Sequence, residues 1–140
     1  MINELNKNMV IREDTNGLTA RNISRVVRSV AWGDDLSDEQ LLYAIKQSTH
    51  IVTAWENDRL IGIARSMDDG IWSSNIDLVI VDISFQHRGV GSIILGRLIK
   101  SLENIKYISV SPNEKSNADF YIKNGFNLVA NGVLLQIVNK

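Results

Sequence analysis

The sequence predicts an α/β (α+β) fold, and three observations carry that expectation. Short β-type runs and amphipathic helical runs alternate along the chain. Turn chemistry falls at their junctions, above all at Glu56-Asn57-Asp58 and at Asn131-Gly132. An apolar share of 44% against 22% charged residues, over 140 positions, suits a globular chain able to bury a core. No linker, repeat or low-complexity segment divides the chain, so a single domain over 1–140 is expected.

Taken in order, Met9-Val10-Ile11-Arg12 is a short first strand. Thr19 is a plausible N-cap for a helix carrying Ile23, Val26, Val27 and Val30 on one face. Trp32-Gly33-Asp34-Asp35 interrupts that pattern. Ser37 with Gln40 forms a capping-box signature for a second helix through Leu41, Leu42 and Ile45. Ile51 to Trp55 and Arg59 to Ala64 read as a hairpin. After Asp68-Asp69-Gly70 a long strand is expected from Ile71 to Ile83, its run Leu78 to Val81 covered on both faces. Trp55 and Trp72 are expected to pack on the sheet.

A helix over 92–103 places Ile94, Leu95, Leu98, Ile99 and Leu102 on one side, and Tyr107 to Val110 is the next strand. Ser116, with Asp119 as capping-box partner, opens a further helix that Gly125 ends as C′ residue. Phe126 to Ala130 and Val133 to Val138 are expected to close the chain as a hairpin. The expected order is therefore β-α-α-β-β-β-α-β-α-β-β.

Composition removes several classes of function. Fifteen basic and sixteen acidic side chains leave a net charge of −1, which disfavours a nucleic-acid binder. There is no cysteine, so disulfides, thiolate catalysis and cysteine-based zinc sites are excluded. His50 and His87 show no metal-ligand spacing, and no metal is expected. Met1 to Asp14 lacks the apolar core of a secretory signal, and no run approaches the ~20 apolar residues that cross a bilayer. A cytoplasmic protein without membrane contact is the expectation.

The chemistry-bearing stretch is Gln86-His87-Arg88-Gly89-Val90-Gly91, between the long apolar strand and a helix. Two glycines there let backbone N–H groups converge where a helix dipole is positive, which suits a phosphate. A P-loop would need a lysine where Gly91-Ser92-Ile93 has none. A dinucleotide fingerprint would need a small residue in place of Ile94, and an earlier strand.

Val81-x-Ile83-x-Phe85-Gln86-x-x-Gly89-x-Gly91 resembles the acyl-CoA signature of the GNAT superfamily of N-acetyltransferases, Gln/Arg-x-x-Gly-x-Gly/Ala. Further on, Asn117-x-x-Phe120-Tyr121-x-x-x-Gly125-Phe126 resembles the second signature of that family. Together the two cover about half of the chain, from Ile71 to Phe126. Ile83 stands where the family commonly has proline.

The resemblance implies the acyl-CoA N-acyltransferase fold: a mixed, mostly antiparallel sheet flanked by helices and split between the fourth and fifth strands. It implies acetyl-CoA as co-substrate, with a bulge near Val81 to Ile83 opening the split. The cofactor contacts it implies are Val81, Ile83, Gln86, His87, Arg88, Gly89, Val90, Gly91, Ser92, Asn117 and Tyr121. Pyrophosphate would sit on the amides from His87 to Ser92. Tyr121 matches the position that protonates the leaving thiolate, and a phenol with a pKa of about 10 stays protonated at neutral pH.

Asp77 occupies a position similar to the glutamate base of one branch, with water as the other candidate base. Each of these residues also has a purely structural reading. Tyr121 could be a core aromatic beside Phe120 and Phe126, and Asp77 a salt-bridged strand residue. Trp32, Asp34 and Asp35 lie where the family builds its acceptor site, and an indole with carboxylates suits a cationic amine. They equally suit capping and solubility. The acceptor could be a small-molecule or a protein amine, and a homodimer through the C-terminal strands is compatible with the family. The competing function is a non-catalytic acyl-CoA-binding or regulatory module on the same scaffold.

Overall fold

The computed structural model describes residues 8–112 and 114–139. Residues 1–7, part of the stretch searched above for a secretory signal, lie outside the described residues. The chain runs β1 (Met9–Arg12), α1 (Ala20–Ser29), α2 (Asp38–Lys46), β2 (His50–Glu56), β3 (Arg59–Asp68) and β4 (Ser73–Val81). A 3₁₀ turn (Ile83–Phe85), α3 (Val90–Ser101), β5 (Tyr107–Val110) and α4 (Lys115–Lys123) follow. The five strands form one sheet in sequential order, antiparallel except for the parallel β4–β5 pair.

Local chemistry starts the first two helices where expected. Thr19 Oγ1 accepts from the Asn22 N–H at 3.1 Å while Asn22 Oδ1 accepts from the Thr19 N–H at 2.9 Å. Ser37 and Gln40 close the same reciprocal pair on α2, at 3.1 and 2.8 Å. Asn57 and Asp58 both take positive φ, so the β2–β3 turn has the primed geometry whose twist matches its strands.

Burial then sorts side chains to the two faces of the sheet. Ile23, Val26 and Val27 of α1 and Leu41 and Ile45 of α2 pack on Leu60, Ile63 and Ile80. On the opposite face Ile94, Leu95 and Leu98 of α3 pack on Ile61, Ala64 and Ile76. Leu78 joins the first cluster and Val79 the second, so the end of β4 is covered on both faces. Leu98 has no exposed surface, and truncating such a leucine to alanine costs about 2–5 kcal/mol.

Several sequence expectations need correction. β4 begins at Ser73 because Asp69 Oδ1 accepts the N–H groups of Ile71, Trp72 and Ser73, holding them in a turn. Those bonds hold the Asp69 carboxyl below its ordinary pKa, the Ile71 N–H contributing most. Trp72 accordingly stands out from the sheet, 68% exposed, whereas Trp55 is buried as expected. α4 starts two residues earlier than expected, at Lys115, and its N-cap Glu114 makes no side-chain cap, so Ser116 and Asp119 form no capping box.

The end of α4 is as read: Gly125, with φ +102°, and Phe126 close it by N–H bonds to the Ile122 and Tyr121 carbonyls. The C-terminal hairpin does not form. Asn131 has φ +63° and the Gly132 N–H reaches the Val129 carbonyl, so the turn is present, yet no flanking strand is paired. Leu128 and Leu135 are 84% and 86% exposed. An isolated hairpin is marginal without a third strand or a helix to pack on.

His50, which carried no signal, has a structural partner. Its Nδ1 lies 2.8 Å from Oδ2 of Asp68, whose side chain is fully buried and also accepts from Ser66 Oγ at 3.2 Å.

Candidate active site

The sheet opens where β4 and β5 part. Their parallel pairing runs from Ser73 with Tyr107 to Ile76 with Val110 and stops there. β4 continues to Val81, paired only with β3. The register shifts at that point, Arg65 facing Leu78 and Ser66 facing Ile76, so Asp77 is the extra residue of a β-bulge. The bulge expected near Val81 to Ile83 therefore lies several residues earlier, and it coincides with the last β4–β5 pair. Antiparallel bonding alternates along a strand, and the Asp82 N–H donates to the Ile61 carbonyl. The backbone groups of Val81 consequently point away from β3, into the gap.

Past Val81 the chain is pinned before it reaches the glycines. Buried Asp82 accepts the Ser84 N–H at 2.9 Å, the Phe85 N–H bonds the Asp82 carbonyl at 2.8 Å, and Ser29 Oγ of α1 accepts the Ile83 N–H at 3.1 Å. Arg59 pairs with Asp82 at 3.3 Å and faces the Phe85 ring, as does Arg88 at 5.2 Å from its centroid. Gln86 Nε2 donates to the Val81 carbonyl at 3.2 Å, tying the turn to the open strand.

His87 and Gly89 then take φ +64° and +82°, and Gly89 is the N-cap of α3 without any side-chain cap. The first intrahelical bond runs from the Ile93 N–H to the Gly89 carbonyl, leaving the N–H groups of Val90, Gly91 and Ser92 without intrahelical acceptors. They face the positive end of the α3 dipole, a ready anion site. α3 begins at Val90, two residues earlier than the sequence pattern places it, because Val90 is buried against the sheet.

α4 supplies the other side of the gap. Tyr121 is half-buried, edge-on to Phe120 and Phe126 with centroids 5.2 and 5.6 Å away. Burial pushes its phenol above the ordinary value of 10.0, so the proton is held through neutral pH. Asn117 is exposed on the same helix, and the ring of Phe120 approaches Gly91, where an added Cβ would meet Cζ at 3.4 Å.

These groups line one cleft of about 1340 Å³. Val81, Gln86, His87, Gly89, Val90, Gly91, Ser92, Asn117 and Tyr121 border it, together with Asp77, Trp32 and Asp35. Ile83, Arg88 and Asp34 do not. Ile83 is 60% exposed in the 3₁₀ turn, and the Arg88 guanidinium lies against Phe85. Asp77 meets Arg65 in a two-pronged ion pair, both N–H···O distances 2.8 Å, and Arg65 also donates to the Ala44 carbonyl of α2 at 2.9 Å.

The acetyltransferase (GNAT) domain model matches residues 16–133. The chain belongs to the GNAT acetyltransferase family. No curated protein matches it. A GNAT-family acetyltransferase of Streptococcus pneumoniae TIGR4 is similar in structure, with a TM-score of 0.79 at 21% identity, covering 94% of this chain and 98% of its own. A Deinococcus radiodurans R1 protein assigned as an acetyltransferase reaches 0.82 at 21% identity, covering 97% of this chain and 93% of its own. An aminoglycoside acetyltransferase from an uncultured soil metagenomic sample, solved with sisomicin, reaches 0.74 at 14% identity, covering 98% of this chain and 100% of its own. At these identities the likeness establishes the fold.

Within this GNAT cleft, sequence reading missed the supports. Asp82, Ser29 and Arg59 anchor the turn, and Arg65 holds Asp77. Asp82 was legible in principle, as an Asx residue two before Ser84 at the end of a strand. Arg65 was not, because its pairing depends on the bulge register. Leu134 and Gln136 also border the cleft, reached from the C-terminal segment expected to be a strand. Among the described residues no group of three His, Asp or Glu side chains could hold a metal ion. No described helix is long and apolar enough to cross a membrane.

Proposed function

We propose that this GNAT domain is an acetyl-CoA-dependent N-acetyltransferase passing the acetyl group directly to a primary amine. One observation carries the reading: the open edge of β4 leads straight into the uncapped amides of α3, within a cleft that also holds a half-buried phenol. That arrangement fits acetyl-CoA. The open edge offers strand-like pairing to the amide-bearing pantetheine arm, and the amides of Val90, Gly91 and Ser92 suit its pyrophosphate. Acetyl-CoA supplies a thioester-activated acetyl group.

The residues divide the remaining work. The Val81 N–H polarises the carbonyl that carries developing negative charge. Tyr121 keeps a proton at Oη for the departing thiolate. The amine proton leaves to water, since Arg65 engages both Asp77 oxygens. The chain has no cysteine, so no acetyl-cysteine relay is available. The acceptor side is formed by Trp32 and Asp35, with an amine as partner. The engaged Asp77 also favours a second reading, an acyl-CoA-binding module without turnover. A transcriptional regulator from Bacillus halodurans C-125 has a similar fold, with a TM-score of 0.67 at 16% identity, covering 92% of this chain and 99% of its own.

Calorimetric titration of acetyl-CoA into the full chain, followed by a free-CoA assay over a panel of amines, tests both readings. Saturable binding with amine-dependent CoA release is expected. Binding without release from any amine leaves only the module, and no binding removes both.

A further inference from the structure

We infer that the acceptor is a monoamine carried on an apolar body, aromatic or branched alkyl. This rests on the transferase reading above and specifies its second substrate. The loop between α1 and α2 borders the cleft through Trp32, Gly33, Asp35 and Leu36, and that loop is built to stay in place. Ala31 and Gly33 take φ +62° and +73°, and a Cβ on Gly33 would come within 3.0 Å of Val27 Cγ1 and 3.2 Å of Leu41 Cδ2. The loop backbone therefore rests directly on the core, where only glycine fits. The Trp32 N–H bonds the Val27 carbonyl at 3.2 Å, and Arg28, paired with Asp38, donates to the Leu36 carbonyl at 2.9 Å.

So fixed, the loop presents Trp32 and Leu36 to the cleft, each 39% exposed, and Val30 borders it too. Exposed apolar side chains on a pinned loop bordering a cavity are the usual lining of a small-molecule pocket. The Asp, Glu, Lys and Arg side chains bordering the cleft are Asp35, Asp77, Arg65 and Lys123. Asp77 is neutralised by Arg65, whose N–H groups serve Asp77 and the Ala44 carbonyl. Asp35 borders the cleft and makes no ion pair among the described residues, while Asp34 lies outside the lining.

One unpaired carboxylate on the loop that carries the indole suits a single ammonium, which an ion pair and a ring face both attract. A polyamine would bring positive charges that find no second unpaired carboxylate here. A polyhydroxylated amine would lose water from hydroxyls facing Trp32 and Leu36, and those two side chains return at most the indole N–H. An apolar body has the reverse balance, since it buries surface on those same two side chains.

The test uses the full chain with 2-phenylethylamine, spermidine and kanamycin. Free-CoA release should give 2-phenylethylamine a kcat/KM at least about tenfold above the other two, the size of a good apolar-pocket preference. Calorimetry without acetyl-CoA should show saturable 2-phenylethylamine binding, weakened about tenfold in Trp32→Ala and in Asp35→Asn. Trp32→Phe, which keeps a ring, should restore binding, and unchanged acetyl-CoA affinity in all three variants certifies their folding. Equal or better turnover of spermidine or kanamycin overturns the inference and leaves the transferase reading standing. Binding of 2-phenylethylamine without CoA release from any amine supports the pocket and rejects the transferase reading. Absence of 2-phenylethylamine binding, or binding indifferent to Trp32 and Asp35, overturns the inference.

Discussion

The two halves of the cleft are made of different material. The half assigned to acetyl-CoA consists of backbone: the open edge of β4, the left-handed turn at His87 and Gly89, and the first amides of α3. The half assigned to the acceptor consists of side chains: Trp32, Leu36 and Asp35 on a pinned loop, and Asp77 held by Arg65. Backbone groups are supplied by any residue that tolerates the required φ and ψ. They suit a constant partner, such as the chain of amides and the pyrophosphate of the proposed donor. Side chains are free to vary, and they face whatever varies between acceptors. Tyr121 borders the same cleft and is the residue assigned to the reacting centre.

The largest effect is therefore expected at that residue. Tyr121→Phe removes one oxygen and keeps the ring between Phe120 and Phe126. kcat should fall about 100-fold, within the range of a positioned acid, while acetyl-CoA affinity measured by calorimetry stays unchanged. The sign of the pH dependence follows from burial, which raises the phenol pKa above 10.0. The acid is protonated below its own pKa, so wild-type kcat should hold to about pH 10 and decline only beyond it. A variant that loses affinity and rate together would make Tyr121 a packing residue of the donor half.

Gly89→Val attacks the backbone half. The native φ of +82° is strained for any residue with a Cβ and most of all for a β-branched one, although no neighbouring atom lies within 4 Å to clash. Strain of about 1–2 kcal/mol, or a reorientation of the amides that relieves it, should raise the acetyl-CoA Kd about tenfold. Amine binding, read separately by calorimetry, should hold. Loss of both affinities would show that the two halves are not separable.

Arg65→Met strikes the side-chain half. It leaves Asp77 without its partner and the Ala44 carbonyl with only the Gln47 N–H. Because the Asp77 side chain is 37% exposed and water can replace much of the loss, the cost should be about 1 kcal/mol of stability. Thermal unfolding should show it as a drop of about 3 °C in Tm. Acetyl-CoA affinity should not move, since the Arg65 side chain bonds Asp77 at the bulge and the Ala44 carbonyl, and bonds neither Val81 nor the turn.

The same division explains what was legible in the sequence. Left-handed backbone at a strand-to-helix junction selects glycine, so Gly89 showed itself, and with Gln86 and Gly91 it pointed to the anion site. The N-cap at Thr19 and the capping box at Ser37 were readable because their partners lie within one turn of helix. Arg65 and Asp77 were not, because a bulge decides which β3 residue faces which β4 residue. The C-terminal hairpin shows the opposite limit. Asn131-Gly132 specifies a turn and the turn is there, but pairing of its flanks needs a surface to pack on, which no local pattern encodes.

The smallest effect is the sharpest check on how the backbone half works. Gly91 looks equivalent to Gly89 in the sequence, but it lies inside α3 and takes no positive φ. An alanine Cβ there would stand 3.4 Å from Phe120 Cζ and 3.6 Å from Val81 Cγ2, ordinary contact distances. Its backbone N–H stays where it was. Gly91→Ala should therefore change the acetyl-CoA Kd less than about twofold and leave stability level or raised by about 0.5 kcal/mol, through the smaller entropy of the unfolded chain. A Kd raised tenfold by that one methyl group would mean that the bound molecule presses against Gly91 itself. Recognition at the turn would then be steric as well as electrostatic, and the two glycines would be required for different reasons: Gly89 for its φ, and Gly91 for the space beside Val81 and Phe120.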